Sequence, residues 1–556
     1  MRGLSEIQRQ ILWSRLIAVV EEQAQALVRT AFSTSTREAG DLSAGVFDEN
    51  GLMIAQAVTG TPGHVNSMAR SVGHFLARFP AATMRDGDVF VTNDPWLGTG
   101  HLNDIVVVTP VFRNGAPVAF FAATVHVVDI GGRGTPIESR QVFEEGLLVP
   151  ISRLVDAGAI VEPLLELIAA NVRDPVALRG DLYSLIAGNE TGGRQLLRLM
   201  DEYGLDTLAE VAAFIFERSR AASIAAIRAL PAGRWTHDVT ADGVDQPIRL
   251  VATLSIGEDG IDIDFAGTDG PSPYAINVPF CYTEAYASFG AKCVVAPAVP
   301  NNAASLATIR VSAPVGSILN VARPAPVVSR HILGQLLPDL VIGCLAQVPG
   351  LDLPAESAAP LWPVVLTGGP GRVEAPAATL ADATPFVVAS FHSGGTGARP
   401  RADGLSATAF PSGVRNVPVE VTEAVSPVVF WRKEYITDSG GPGAQRGGLG
   451  QVLEIASSEA KPFAINASFD RTAHPPRGRA GGGPGGAGRL VLDDGTPLTG
   501  KGHQAIPAGR RLLLEMPGGG GHGDPRRRDR SRIAEDLADG LVSAEAAKTV
   551  YGFEGE

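Results

Sequence analysis

Cysteine is scarce in this chain: Cys281, Cys293 and Cys344 are the only three in 556 residues, and none forms a CxxC pair. An odd number of scattered thiols excludes a disulfide framework or a zinc knuckle and fits a reducing, cytoplasmic setting. Positive charge is also short. The formal net charge of −13 argues against nucleic acid or an anionic membrane as a partner. The one basic run, Arg526 to Arg532, reads as a solvated helix entry. No apolar window of about 18 residues is present to span a bilayer. The opening residues MRGLSEIQRQ lack the apolar centre of a signal peptide. There is no GxSxG nucleophile elbow, and each cysteine sits in an apolar stretch where a thiol is inert. One segment, GTPLTGKG from Gly495 to Gly502, approaches a phosphate loop. It lacks both the hydroxyl residue after Lys501 and a following helix.

What is abundant is hydrophobic residues, 45%, and turn formers, with 65 glycines and 40 prolines. The length implies several cores, and the glycine and proline load implies many short strands. Residues 5–32 carry apolar side chains at three- and four-residue steps behind Ser5, which predicts a capped helix. LSAGVFDENGLMIAQ predicts a β-hairpin. Strands are expected from there to about Ile130, and a helical block from Pro163 to Leu230. Strands return near Trp235, interrupted by two helical segments. The stretch from Val387 to Met516 reads as nearly all β, with DSGGPGAQRGGLG and RAGGGPGGAGRLVLDDGTPL as glycine-dense turns. A short helix closes the chain. The pattern predicts an α+β, multidomain, strand-rich protein with a central helical block and a β-rich C-terminal part. The expected divisions are 1–234, an α+β domain with the candidate site; 235–386, a middle α/β domain; and 387–556, a β-rich domain with a terminal helix.

The chemistry concentrates in NDPWLGTGHLNDIVVVTPVF, Asn93 to Phe112, and FFAATVHVVDIGGRG, Phe120 to Gly134. His101 and Asp104 stand three apart before one apolar strand. His126 and Asp129 stand three apart near the end of the next. Gly98 and Gly100 supply the turn that lets His101 and Asp104 converge. Imidazole and carboxylate together suit Zn²⁺, Mn²⁺ or Fe²⁺, and Asp41, just before the first hairpin, is a further candidate ligand. The competing reading is that these are satisfied polar residues at strand ends.

These residues also carry a family resemblance. In order along the chain come DLSAGVFDENGLMIAQ, GHVNSM, GDVFVTNDPWLGTGHLNDIVVVTPVF, HVVDIGG, FEEGLLVP, NVPVEVTE, DSGGPGAQRGGLG and PGGGGHGDP. The chain resembles, over essentially its full length, the hydantoinase B/5-oxoprolinase family. That family includes B-type subunits of ATP-dependent hydantoinases and lactamases and α-type subunits of ketone carboxylases. The resemblance implies a metal centre on His101, Asp104 and His126, with Asp41 a further candidate ligand. It implies a partner A-type subunit that binds ATP and phosphorylates the substrate. The expected activity is ATP-dependent hydrolysis of a cyclic amide such as a hydantoin, oxoproline or lactam, through water activated at one divalent metal. Asp129 would orient a ligand or accept a proton, or else cap a strand end. Two alternatives stand beside this: a ketone carboxylase, disfavoured by the short stretch after PGGGGHGDP, and a non-catalytic scaffold for the A-type partner. Val127, and VVSRHILGQ from Val327 to Gln335, depart from what relatives carry.

Overall fold

The two apolar runs that flank His101 and His126 become the central strands of one antiparallel sheet. The computed structural model describes residues 4–554. The sheet is built from β1 (Leu42–Phe47), β2 (Met53–Gln56), β3 (Val89–Thr92), β4 (Asp104–Arg113), β5 (Ala116–His126), β6 (Ser152–Asp156) and β7 (Ala159–Ile160). Their spatial order is β2-β1-β5-β4-β3-β6-β7. Alternate residues of β4 and β5 enter two different cores. Val107, Phe121 and Ala123 pack with the helices Glu6–Thr30 and Pro175–Tyr203. Val106, Val108, Phe120 and Ala122 pack with Val65, Met68, Val72 and Phe75. A sheet covered on both faces needs strands that are apolar on both faces, which is why these runs do not alternate.

The α+β class read from the sequence is the observed one. The predicted first helix, the DENG hairpin and the helical block all form. One helix departs from the expectation. Pro62–Arg78 lies within the stretch that reads as strands, with Pro62 at its first turn and Val65, Met68, Val72 and Phe75 buried at helical spacing. The terminal helix is also two, Arg530–Ala538 and Ala544–Thr549, parted near Gly540, which takes a left-handed φ of 68°.

The chain forms two compact units where the sequence suggests three segments. The first holds residues up to Thr135, Ser139–Thr236 and Ala252–Arg330; the second holds Pro136–Glu138, His237–Val251 and the chain from His331 onward. The division of 235–386 has a packing cause. Within the first unit, the helix Phe280–Val295 lies against the helix Pro62–Arg78. Asn66 donates to Ala285 O at 3.1 Å, and a Cβ on Gly63 would meet the Tyr286 ring at 2.6 Å.

The second unit contains two four-stranded sheets. One joins Phe386–His392, Trp362–Gly368, Phe463–Ser468 and Lys501–Ile506; the other joins Val428–Tyr435, Gln451–Ser457, Leu512–Glu515 and Arg489–Leu492. Trp362, Leu366, Leu453, Phe463, Phe469, Leu490 and Leu514 share one core between them.

The glycine-dense segments are not simple turns. Four of them interleave as extended backbone in direct contact. Gly441 donates to Gly519 O at 2.8 Å, Gly519 to Gly448 O at 2.9 Å, Gly448 to Thr396 O at 2.9 Å, and Gly521 to Gly483 O at 2.9 Å. A Cβ on Gly519 would stand 1.9 Å from Thr396 O, and one on Gly448 would stand 2.1 Å from Leu405 O. Neither residue has a positive φ, so glycine is required here by close approach and not by a turn. The basic run is likewise not solvated throughout. Arg528 is 4% exposed and clamps Asp403 at 2.8 Å and Asp536 at 2.6 Å. No helix among the described residues is long and apolar enough to cross a membrane.

Candidate metal centre

Antiparallel pairing explains the spacing of the cluster. Asp104 opens β4 and His126 closes β5, and the register sets them directly opposite each other. His101 is carried over them by the turn between β3 and β4. Gly100 takes φ of 100° there, and a Cβ on it would strike the Arg330 side chain at 2.6 Å. Two asparagines fasten this turn. Asn93 donates to Leu102 O and Leu147 O, both at 2.9 Å, and Asn103 donates to Val127 O at 3.0 Å.

The result is a buried knot of ligating atoms. His101 Nε2 lies 2.6 Å from Asp104 Oδ1. His126 Nδ1 lies 3.1 Å from the same oxygen and 3.3 Å from His101 Nε2. The other oxygen of Asp104 is saturated: Thr99 Oγ1 donates to it at 2.7 Å, Arg330 Nη2 at 2.5 Å, and His64 Nε2 lies 3.0 Å away. Arg330 in turn lies over the Tyr282 ring at 4.1 Å.

Protonation follows from these contacts. Burial and the Arg330 charge push His101 down to about 3, so its imidazole is neutral. Burial opposes ionisation of Asp104, but the charges of His64 and Arg330 outweigh it and hold the carboxyl well below its usual range. Burial also disfavours the charged form of His64, and the carboxylates of Asp104 and Asp41 overcome it, raising this histidine.

Do these residues fit a divalent ion? His101 Nδ1 lies 3.2 Å from Val328 O. A carbonyl can only accept, so Nδ1 carries the hydrogen and Nε2 presents a bare lone pair. That lone pair faces an ionised carboxylate oxygen, and the His126 nitrogen joins them. The His101 lone pair and the carboxylate oxygen, 2.6 Å apart, repel one another unless a cation sits between them, and His126 Nδ1 is a third donor to such an ion in the tautomer that leaves it unprotonated. Two donors bonded at roughly 2.1 Å to one ion and set at about a right angle lie about 3 Å apart, near the separations of this cluster. Neutral imidazole and ionised carboxylate are also the states that ligation demands. The donor set fits.

The structure thus brings together His101, Asp104 and His126, whose ligand atoms lie within 4.8 Å of one another. Asp41 stands beyond His64, with its Oδ1 3.6 Å from His64 Nδ1. Asp129 is engaged elsewhere: it accepts from Gly131 N at 3.0 Å and from the Arg173 guanidinium at 2.6 Å, and also takes the Arg173 amide. Sequence reasoning misses His64, Val328 and Arg330 as site residues. His64 is within its reach, as the histidine of GHVNSM, but it stands on the helix hidden in a stretch that reads as strand. Lys501 of the loop-like GTPLTGKG begins a strand and pairs with Asp470 at 3.3 Å, so that segment is no phosphate cradle.

The fold and this cluster define a two-unit α+β chain with a His/Asp centre at paired strand ends. The chain belongs to the hydantoinase B/oxoprolinase family, whose model matches residues 5–525. It is 30% identical to an uncharacterized protein of Methanocaldococcus jannaschii over 99% of this chain and 96% of that one. It is 25% identical to the B-type subunit of a putative D-/L-hydantoinase from a Pseudomonas species, over 99% of this chain and 95% of that one. The crystal structure of the ATP-dependent caprolactamase from Pseudomonas jessenii shares its fold, with a TM-score of 0.89 at 24% identity, over 99% of this chain and 96% of that one.

Proposed function

We propose that this chain is the metal-containing B-type subunit of an ATP-dependent cyclic-amide hydrolase. It would open a hydantoin, oxoproline or lactam that a partner A-type subunit has phosphorylated. The observation that carries this reading is the convergence of His101, Asp104 and His126 in a chain that matches the hydantoinase B/oxoprolinase family almost end to end. The relatives support it: one is named as a subunit of a putative hydantoinase, and another is titled ATP-dependent.

The chemistry follows from amide resonance, which makes an unactivated cyclic amide a poor electrophile. Phosphorylation of its oxygen creates an imidate-like carbon. Water bonds to that carbon, the ring C–N bond breaks as the nitrogen takes up protons, and a second water splits the resulting acyl phosphate into carboxylate and inorganic phosphate. His101, Asp104 and His126 would hold one divalent ion, zinc, manganese or iron, with Asp41 a further candidate ligand. Such an ion supplies Lewis acidity toward the reacting oxygen. The chain's own contribution is to keep His101 neutral with Nε2 exposed, and to turn one oxygen of Asp104 inward by saturating the other. Asp129, tied to Arg173 and Gly131, serves the turn that follows β5.

Two results test the reading. Calorimetric titration of the isolated chain with Mg·ATP is expected to show no tight binding; a micromolar dissociation constant would place nucleotide chemistry on this chain. The chain reconstituted with its A-type partner, given hydantoins, 5-oxoproline or lactams with ATP in ¹⁸O-water, is expected to place solvent oxygen in the new carboxylate without need of bicarbonate. Turnover confined to ketones plus bicarbonate would establish the carboxylase alternative instead.

A further inference from the structure

Glu145 is completely buried, yet among the described residues it has no ion-pair partner. One oxygen, Oε1, accepts from the amides of Val327 at 2.7 Å and Val328 at 3.0 Å. The other, Oε2, is buried without a hydrogen-bond partner among the described residues. Burial pushes the carboxyl up to about 8. A buried acid kept without a cation calls for an explanation, and the two amides supply one. They belong to the short segment 327–330. Its Val328 carbonyl takes the His101 Nδ1 hydrogen, and its Arg330 grips both Asp104 Oδ2 at 2.5 Å and Thr99 O at 2.9 Å.

The other end of this arrangement is also tied down. Glu145 sits in a turn clasped by the loop that follows β5. Leu147 donates to Ile130 O at 2.8 Å, and Arg133 donates to Glu144 O at 2.9 Å. A Cβ on Gly132 would meet Gly146 N at 2.5 Å, so the two loops touch backbone to backbone. Asp129 secures the same loop through Gly131 and Arg173. HVVDIGG and FEEGLLVP therefore act as one clamp, and the clamp closes on residues 327–328.

We propose that Glu145 is a positioning residue of the metal centre: by holding the Val327 and Val328 amides it fixes the carbonyl that sets the His101 tautomer and the arginine that seats Asp104. The inference rests on the metal reading above. Glu145 touches neither ion nor substrate; it acts through residues 327–330. Outer partners of metal ligands commonly govern affinity in this way, by about 10- to 100-fold.

The test uses the full chain and Co²⁺ alone, with affinity and visible absorption as readouts and a melting curve as the folding control. Glu145→Gln keeps the accepting oxygen and is expected to match wild type in affinity and spectrum. Glu145→Leu removes the acceptor and is expected to weaken Co²⁺ binding about 10- to 100-fold, with a changed absorption band. If Glu145→Leu does not fold, Glu145→Asp withdraws the acceptor from the same amides and is judged on the same scale. A folded Leu or Asp variant with wild-type affinity and spectrum overturns the role of Glu145 alone. A wild-type chain that takes up no Co²⁺ overturns the metal reading, and the role of Glu145 with it.

Discussion

Asp104→Asn is expected to abolish both stoichiometric metal binding and product formation in the reconstituted enzyme, while the A-type partner still phosphorylates substrate. The substitution preserves size and removes the one anion at the junction of His101, His126, His64 and Arg330. A neutral amide offers a divalent ion far less than a carboxylate does. It also strands the buried Arg330 guanidinium, which costs about 3–5 kcal/mol when one partner of a buried pair is removed. The two effects separate in a double variant. Asp104→Asn with Arg330→Met recovers much of the melting temperature without recovering metal, because the stranded charge is gone and the missing ligand is not. Elemental analysis, melting curves and product assays on wild type, the single variant and the double variant decide the matter. Full product formation by Asp104→Asn would make the cluster structural and end the proposed mechanism.

The second large effect is expected in the second unit. Gly519→Ala adds a carbon 1.9 Å from Thr396 O, in a place where neighbours on several sides are backbone. Relief requires displacing the segment that carries Gly519. That breaks the bonds from Gly441 N to Gly519 O and from Gly519 N to Gly448 O. Buried peptide groups left unsatisfied cost about 1–3 kcal/mol each, so a loss of at least about 3 kcal/mol is expected. Gly73→Ala is the control of opposite sign. It lies within the helix Pro62–Arg78, has nothing within 4 Å of an added carbon, and should stabilise by roughly 0.5–1 kcal/mol. Denaturant melts of both variants test the contrast. A Gly519→Ala chain as stable as wild type would show that the glycines serve only as turns.

Those glycines also mark where the sequence misleads. Glycine permits a positive φ, so a dense run reads as turns; it also lacks a Cβ, and here that absence is what the packing uses. The helix Pro62–Arg78 is hidden for a related reason. Gly63, Asn66, Ser67, Ser71 and Gly73 dilute its helical propensity, and its buried face is set by a sheet and by the helix Phe280–Val295. The heart of the site is legible because pairing of β4 with β5 converts a sequence interval of 22 residues into direct contact between Asp104 and His126. Arg330 and Val328 are not legible. They stand 226 and 227 residues from the partners they touch, and no local pattern spans such a gap. The fate of Asp129 is equally hidden, since its partner Arg173 lies 44 residues on.

The interleaved glycine segments bear on thermodynamics as well as on mutation. Hydration of newly exposed apolar surface raises the heat capacity of an unfolding chain, and hydration of exposed peptide groups lowers it. A part of the second unit whose cohesion comes from backbone meeting backbone has little of the first and much of the second. The heat-capacity increment per residue for melting that part should fall below that of the sheet core around Trp362 and Phe463. Its stability should therefore change more gently with temperature, both on warming and toward the cold.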